Sequence, residues 1–364
     1  MKTTTRLQTK VLQSLLLCFF LVVSCARAET NFTLGFWANY RYLPDDSASR
    51  ETWGQIRDEA MILYASGRAP EGDRSWLYES ELRIGPGSFT DPNNNSTGNN
   101  FAFKTAWVGW ELTEYHTLRV GQTRVPFGWN TVNFWPGDIL LGGFGDHTDV
   151  GIKLSRRTAR WDYDAAFFLA DDWGGRSTDT VDDNAHWGSS TTFRKVRTWV
   201  GNLSYHLSDA HSIGLAAQAG GLQDLTDLGS DEVDGNHEAA IVYYQGTFDN
   251  FYVKASFITT ERELPPLYRQ EAQLPEKIRN QRLATEIGYD LGPWSFYWDW
   301  TAAFPNTDDS QPSKVTAHVP GLKYNYGPGW IYLEFLSQSG DLDRDGRVAE
   351  GDFEAVYVTI DFYL

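Results

Sequence analysis

The 364-residue chain has two cysteines, Cys18 and Cys25, and both fall within its first 28 residues. A mature chain beginning at residue 29 would have none, which excludes a disulfide framework and any thiol chemistry. Past that point no apolar run approaches the roughly 20 residues that a membrane-spanning helix needs. Helical spans are therefore excluded, whereas strands that alternate apolar with polar residues are not. Basic residues are also scarce, 31 Lys and Arg against 48 Asp and Glu. That balance argues against nucleic-acid binding, which requires a basic face. No G-x-S-x-G elbow, H-E-x-x-H pair or phosphate-cradling glycine loop occurs, and the seven histidines are scattered over strands, turns and loops. The sequence is expected to encode no enzyme and to require no cofactor.

The first 28 residues have the layout of an export signal. Lys2, Arg6 and Lys10 form a basic region, Val11 to Val23 an apolar one, and Ala26-Arg27-Ala28 a small-x-small cleavage site before Glu29. The expected organisation is a cleaved signal peptide over 1–28 and one barrel domain over 29–364. The alternative is acylation at Cys25, since Val22-Val23-Ser24-Cys25 also forms a lipoprotein box. Cleavage would remove four basic and no acidic residues, moving the net charge from −17 to −21.

Aromatics are plentiful, with 15 Trp, 18 Tyr and 21 Phe, which suits a membrane barrel girdled by aromatic residues at both interfaces. From Asn31 onward the chain divides into about 16 strand-like stretches of period two, or 14 if the ambiguous run around Glu59–Tyr64 is a helical turn. Trp294, Phe296, Trp298 and Trp300 alternate with Ser295, Tyr297, Asp299 and Thr301; Trp161 to Leu169 behaves in the same way. One face suits lipid and the other water. Short turns such as Thr113-Glu114-Tyr115, Asp249-Asn250 and Leu291-Gly292-Pro293 alternate with long polar connections at 91–100, 171–190, 224–236 and 340–352. Short turns at one rim and long loops at the other imply a transmembrane antiparallel barrel rather than a soluble sandwich.

Residues 112–128, LTEYHTLRVGQTRVPFG, hold a polar turn, a strand and a rigid Pro126-Phe127-Gly128 break. The following stretch, 129–146, contains Ile139-Leu140-Leu141 and is too apolar to wave in solvent. In a barrel it is expected to fold into the lumen as a constriction loop. The run L-R-V-G-Q-x-x-x-P-F-G over Leu118–Gly128 resembles the phosphate-selective porin family of Gram-negative outer membranes. Upstream, Lys104, Ala106, Gly109 and Glu111 fit that family's R-R-A-R-x-G-x-E strand, while Thr105 and Trp107 stand where it carries arginines. The resemblance covers about 25 residues. It implies an outer-membrane channel permeable to anions such as phosphate, and a homotrimer.

Strand parity turns Arg119 and Lys153 toward the lumen, and with Arg124 they are the candidate positive cluster at the constriction set by Pro126, Phe127 and Gly128. The alternative is ordinary ion pairing in the barrel wall. Over 341–352 the chain matches the calcium-loop pattern D-x-D-x-D-G, with Asp341, Asp343 and Asp345 as ligands, the carbonyl of Arg347 next, and Asp352 in place of the usual final Glu. Calcium binding is expected there, a solvated acidic loop being the alternative. The final strand, with aromatic Phe362 two residues before Leu364, resembles the signal read by the barrel assembly machinery.

The expectation is thus an outer-membrane porin passing small hydrophilic solutes, contacting outer-membrane lipid and lipopolysaccharide. The rivals are a non-conducting adhesion barrel and a secreted all-β carbohydrate-binding protein.

Overall fold

The computed structural model describes residues 29–86, 101–129, 134, 147–170, 193–225, 232–307, 314–342 and 346–364. Sixteen strands run through them: β1 (Glu29–Tyr42), β2 (Gln55–Glu71), β3 (Arg74–Ile84), β4 (Phe101–Glu111), β5 (His116–Arg124), β6 (Thr148–Arg157), β7 (Trp161–Ala170), β8 (Phe193–Ser208), β9 (His211–Asp224), β10 (Val233–Phe248), β11 (Phe251–Glu263), β12 (Lys277–Leu291), β13 (Trp294–Pro305), β14 (Val315–Asn325), β15 (Trp330–Leu342) and β16 (Val348–Tyr363). Each pairs antiparallel with its sequence neighbours, and β1 closes on β16 through eight register pairs from Gly35↔Tyr363 to Tyr42↔Val356. Closure leaves no unpaired sheet edge, the condition for a β structure to cross lipid.

The expected strand order and count hold, and the run around Glu59–Tyr64 is strand, paired with both β1 and β3. Several strand ends differ from the sequence reading, three of them for a reason visible in the structure. β2 begins only at Gln55, because Asp46 caps a short helix, Ser47–Thr52, by accepting from the Ala48 N–H. β10 begins at Val233 rather than 237, pairing early with β9 across a register shift. The polar stretch 340–352 is mostly ladder: pairing runs on to Leu342↔Val348, past a shift between Gln338 and Gly340. In all three, strand pairing or a cap overrode local composition.

At one rim the connections are tight, at 72–73, 209–210, 249–250 and 292–293, with Gly72, Gly292 and Asp249 in the left-handed conformation such turns demand. At the other most are longer.

The outer wall is apolar and exposed. One register row across it reads Tyr163, Leu203, Leu215, Val242, Phe257, Leu283, of which Leu215 is 57% and Val242 56% exposed. Two rows toward the long loops stand Trp199, Ala219, Glu238, Glu261 and Arg279, so the apolar band has an upper edge. Near its lower edge, cross-strand aromatic pairs sit beside the short turns: Trp76–Trp110 (4.6 Å), Trp161–Tyr205 (4.5 Å), Phe251–Tyr289 (4.6 Å) and Trp294–Tyr324 (4.3 Å). Amphipathic rings in that position form a girdle.

Inside, bulky rings lie across glycines of the adjacent strand. An added Cβ on Gly214, Gly288 or Gly321 would stand 2.0–2.2 Å from the ring of Tyr243, Tyr252 or Tyr297. The missing side chain is the space the ring fills.

Candidate functional site

The lumenal constriction begins at Gly121. Its φ of +127° and the 2.3 Å between an added Cβ and the Ala106 carbonyl leave room for glycine only. Three residues later β5 ends, and Val125 N–H donates to the His147 carbonyl (3.0 Å), tying the two ends of the long connection together. Pro126 follows, and Phe127 N–H turns back to the Val125 carbonyl (3.0 Å). Gly128 takes φ +81°, with an added Cβ 2.8 Å from Ile241 Cδ1. This sequence of a fixed φ, a tight turn and a left-handed residue drives the chain inward.

Val125, Phe127 and Trp129 are buried in one cluster with Ala166, Phe168, Val200, Ala216, Ala239, Ile241, Tyr243, Ile258 and Ala284. These are inward-facing residues of β7 to β12, so the connection packs on the lumenal face of six of the sixteen strands. Trp129 lies against Lys254 of β11, whose ammonium is 5.4 Å from its ring and 2.6 Å from Glu286. Phe134 then reaches the opposite arc. Its N–H donates to Glu334 Oε1 on β15 (2.7 Å), and its ring meets Trp37 (4.7 Å) and Tyr332 (5.3 Å). Tyr297 Oη donates to the same Glu334 oxygen (2.7 Å). The expected inward course of this loop holds at the described residues 125–129 and 134. Ile139-Leu140-Leu141 lie outside the described residues.

Beneath the root of this loop stand the nominated cations. Arg119 and Lys153 are register partners on β5 and β6, but they differ in what they touch. The Arg119 guanidinium lies 4.8 Å over the ring of Trp107 and donates to Ser155 Oγ (3.1 Å). Ser155 passes the link to Asp164 Oδ1 (2.6 Å), which also takes Arg157 Nη2 on both oxygens (2.8 and 2.9 Å). Lys153 is 9% exposed and donates to the Arg124 carbonyl (2.7 Å), bracing the last residue of β5. Pro126, Phe127 and Gly128 form the loop root itself. The six nominated residues are therefore contiguous, Lys153 holding the loop and Arg119 the wall below it.

Two contacts of these residues are not evident from the sequence. Trp107 supplies the face on which Arg119 rests, and its Nε1 donates to Glu79 (3.3 Å). Glu334 is the landing point of the loop, 200 residues downstream of Phe134. Of the calcium-motif residues, Asp341 belongs by its backbone to β15 opposite Ala349, Arg347 precedes β16, and Asp352 lies exposed within β16. Asp343 and Asp345 lie outside the described residues. Among the described residues no three His, Cys, Asp or Glu are grouped as metal ligands.

Comparison with solved structures follows the same lines. OmpT, an outer membrane protein of Vibrio cholerae in trimer form, superposes with a TM-score of 0.65 at 10% identity, covering 93% of this chain and 99% of that one. The outer membrane channel DcaP of Acinetobacter baumannii gives 0.62 at 12% identity over 93% and 97%. The anion-selective porin from Comamonas acidovorans gives 0.60 at 13% identity over 93% and 100%. The chain has the porin barrel fold. No protein-family model and no curated protein sequence matches it.

Proposed function

We propose that this chain is a porin of the Gram-negative outer membrane, a water-filled channel through which small hydrophilic solutes and ions diffuse passively. The observation that carries this reading is the connection after β5, which enters the lumen and is tied both to β7–β12 and to Glu334. A barrel built only as a surface scaffold has no need of a loop held across its bore. The exposed apolar belt and the aromatic pairs give the wall its place in lipid, short turns toward the periplasm. Lipopolysaccharide would surround the charged rows above the belt, and assembly as a homotrimer is proposed from the trimer form of the Vibrio neighbour.

Anion preference, phosphate included, is proposed to rest on Arg119, whose contacts are a neutral hydroxyl and an aromatic face. Lys254 and Arg83, by contrast, sit on the carboxylates of Glu286 and Glu81, so the preference is weak. Calcium binding over 341–352 is retained as a proposal, tested by a calcium-dependent rise in thermal stability that Asp345→Asn abolishes.

The deciding experiment is single-channel recording of the detergent-purified mature protein in a planar bilayer, with the reversal potential taken under a salt gradient. Ohmic steps with an anion-directed reversal potential are expected. Folded, heat-modifiable protein that gives no steps would sink the channel reading.

A further inference from the structure

The connection between β15 and β16 is short, yet Gly346 at its end does not stay above its own strands. Asn280 Nδ2, on the inner wall of β12, donates to the Gly346 carbonyl (2.9 Å), and both residues are buried. Gly346 sits at φ +92°, and an added Cβ there would lie 3.7 Å from each of Arg262 Cδ, Asn280 Nδ2 and Ile278 Cγ2. From β15 to β12 is three strand spacings, about 14 Å around the rim. A hairpin continuing straight up the wall would not reach that far.

The intervening contacts trace its path. Val348 is buried with Ala303, Val315, Ala317 and Leu336, inward-facing residues of β13 to β15. Gly340 abuts Val315, whose Cγ1 would be 2.2 Å from an added Cβ. The bend coincides with the register shift between Gln338 and Gly340, and a bulge is the device that turns a strand pair sharply. At the far end Gly346 meets Ile278, itself packed with Phe193, Leu222 and Leu264 from the mouth of β8–β12.

We infer that the β15–β16 hairpin is a second constriction, folded inward across the long-loop mouth of the barrel and seated on Asn280 and Arg262. The inference rests on the channel reading above. It assigns to Asn280 a role in setting the size limit for solutes, separate from the loop at Phe127–Phe134. Two cations, Arg262 (4% exposed) and Arg282 (1%), lie on the inner wall beside or below the seat. Displacing the hairpin from this seat therefore widens the mouth.

The test compares wild type, Asn280→Ala and a shortened hairpin in which residues 343–347 are replaced by an Asn-Gly turn, a two-residue connection suited to strand pairs. Each is refolded, checked for heat-modifiable migration, and recorded in planar bilayers with polyethylene glycols of graded size. The shortened hairpin is expected to raise conductance roughly twofold and admit larger polymers. Asn280→Ala is expected to give the wild-type step with added excursions to the larger level. A conducting wild type whose folded variants match it in step size and polymer cut-off would overturn this inference alone. If all three fold and none conducts, the channel reading falls and the inference with it.

Discussion

Arg119 and Lys153 face each other across the β5–β6 ladder, yet their surroundings assign them different work. Arg119 is held by Ser155 and the face of Trp107 and keeps its charge toward the lumen; Lys153 is buried against the Arg124 carbonyl. Replacing Arg119 by Ser is expected to move the reversal potential toward cations, roughly a twofold change in permeability ratio, with folding intact. Arg119→Lys should restore most of it. Lys153→Met should instead leave selectivity nearly unchanged and loosen the loop root, seen as current noise. Strand parity is legible in any two-faced sequence, so both side chains could be placed inward from Leu118, Val120 and their neighbours alone. Which of the two meets solvent was not legible, because it depends on where the backbone of residues 124–128 travels. Gly121 offers a plainer case: Gly121→Ala forces a Cβ toward the Ala106 carbonyl and should destabilise the barrel by about 1–3 kcal/mol. The midpoint of denaturant unfolding in detergent measures it.

At the scale of elements, the constriction loop is a long connection whose described residues are fixed at three places: its closed root, the Val125–Phe127–Trp129 cluster and the Phe134–Glu334 contact. Glu334 accepts from both a backbone N–H and Tyr297, so removing its oxygens leaves two donors without that acceptor. Glu334→Leu is expected to release the far end of the loop and give larger, noisier conductance, whereas Glu334→Gln, which keeps a carbonyl oxygen, should behave nearly as wild type. Single-channel traces separate the two. That a loop this apolar must fold inward followed from Pro126-Phe127-Gly128 and the residues after it. Its landing place did not follow, since Glu334 looks like any other polar residue on the inner face of a strand. The same holds for the hairpin at 340–352: composition marks it as a loop, while pairing to Val348 and the seat on Asn280 are properties of distant strands. Local pattern determines which face a side chain occupies. Contacts across the bore are set by closure, which couples residues far apart in sequence.

For the whole molecule, the outer wall carries a prediction that does not depend on conduction. Val242 sits in the exposed apolar row, and Glu238, two outward positions along the same strand, sits in the charged row near the long-loop rim. In a bilayer these positions differ in depth, and the cost of a cation on the lipid face falls from about 2–4 kcal/mol at the midplane to about 0–1 near the interface. Val242→Arg should therefore cost most of the larger figure when the protein folds into lipid vesicles, and Glu238→Arg little. In water alone neither substitution would meet a depth gradient, because an exposed side chain on a soluble sheet is solvated at either height. Denaturant titration of folding into vesicles, followed by tryptophan emission and heat-modifiable migration, gives both values. Equal small effects would place this wall in water and return the chain to the soluble carbohydrate-binding class. A steep difference would put the belt at Leu215, Val242 and Phe257 in the hydrocarbon and the row at Glu238 and Glu261 among headgroups, whatever the lumen passes.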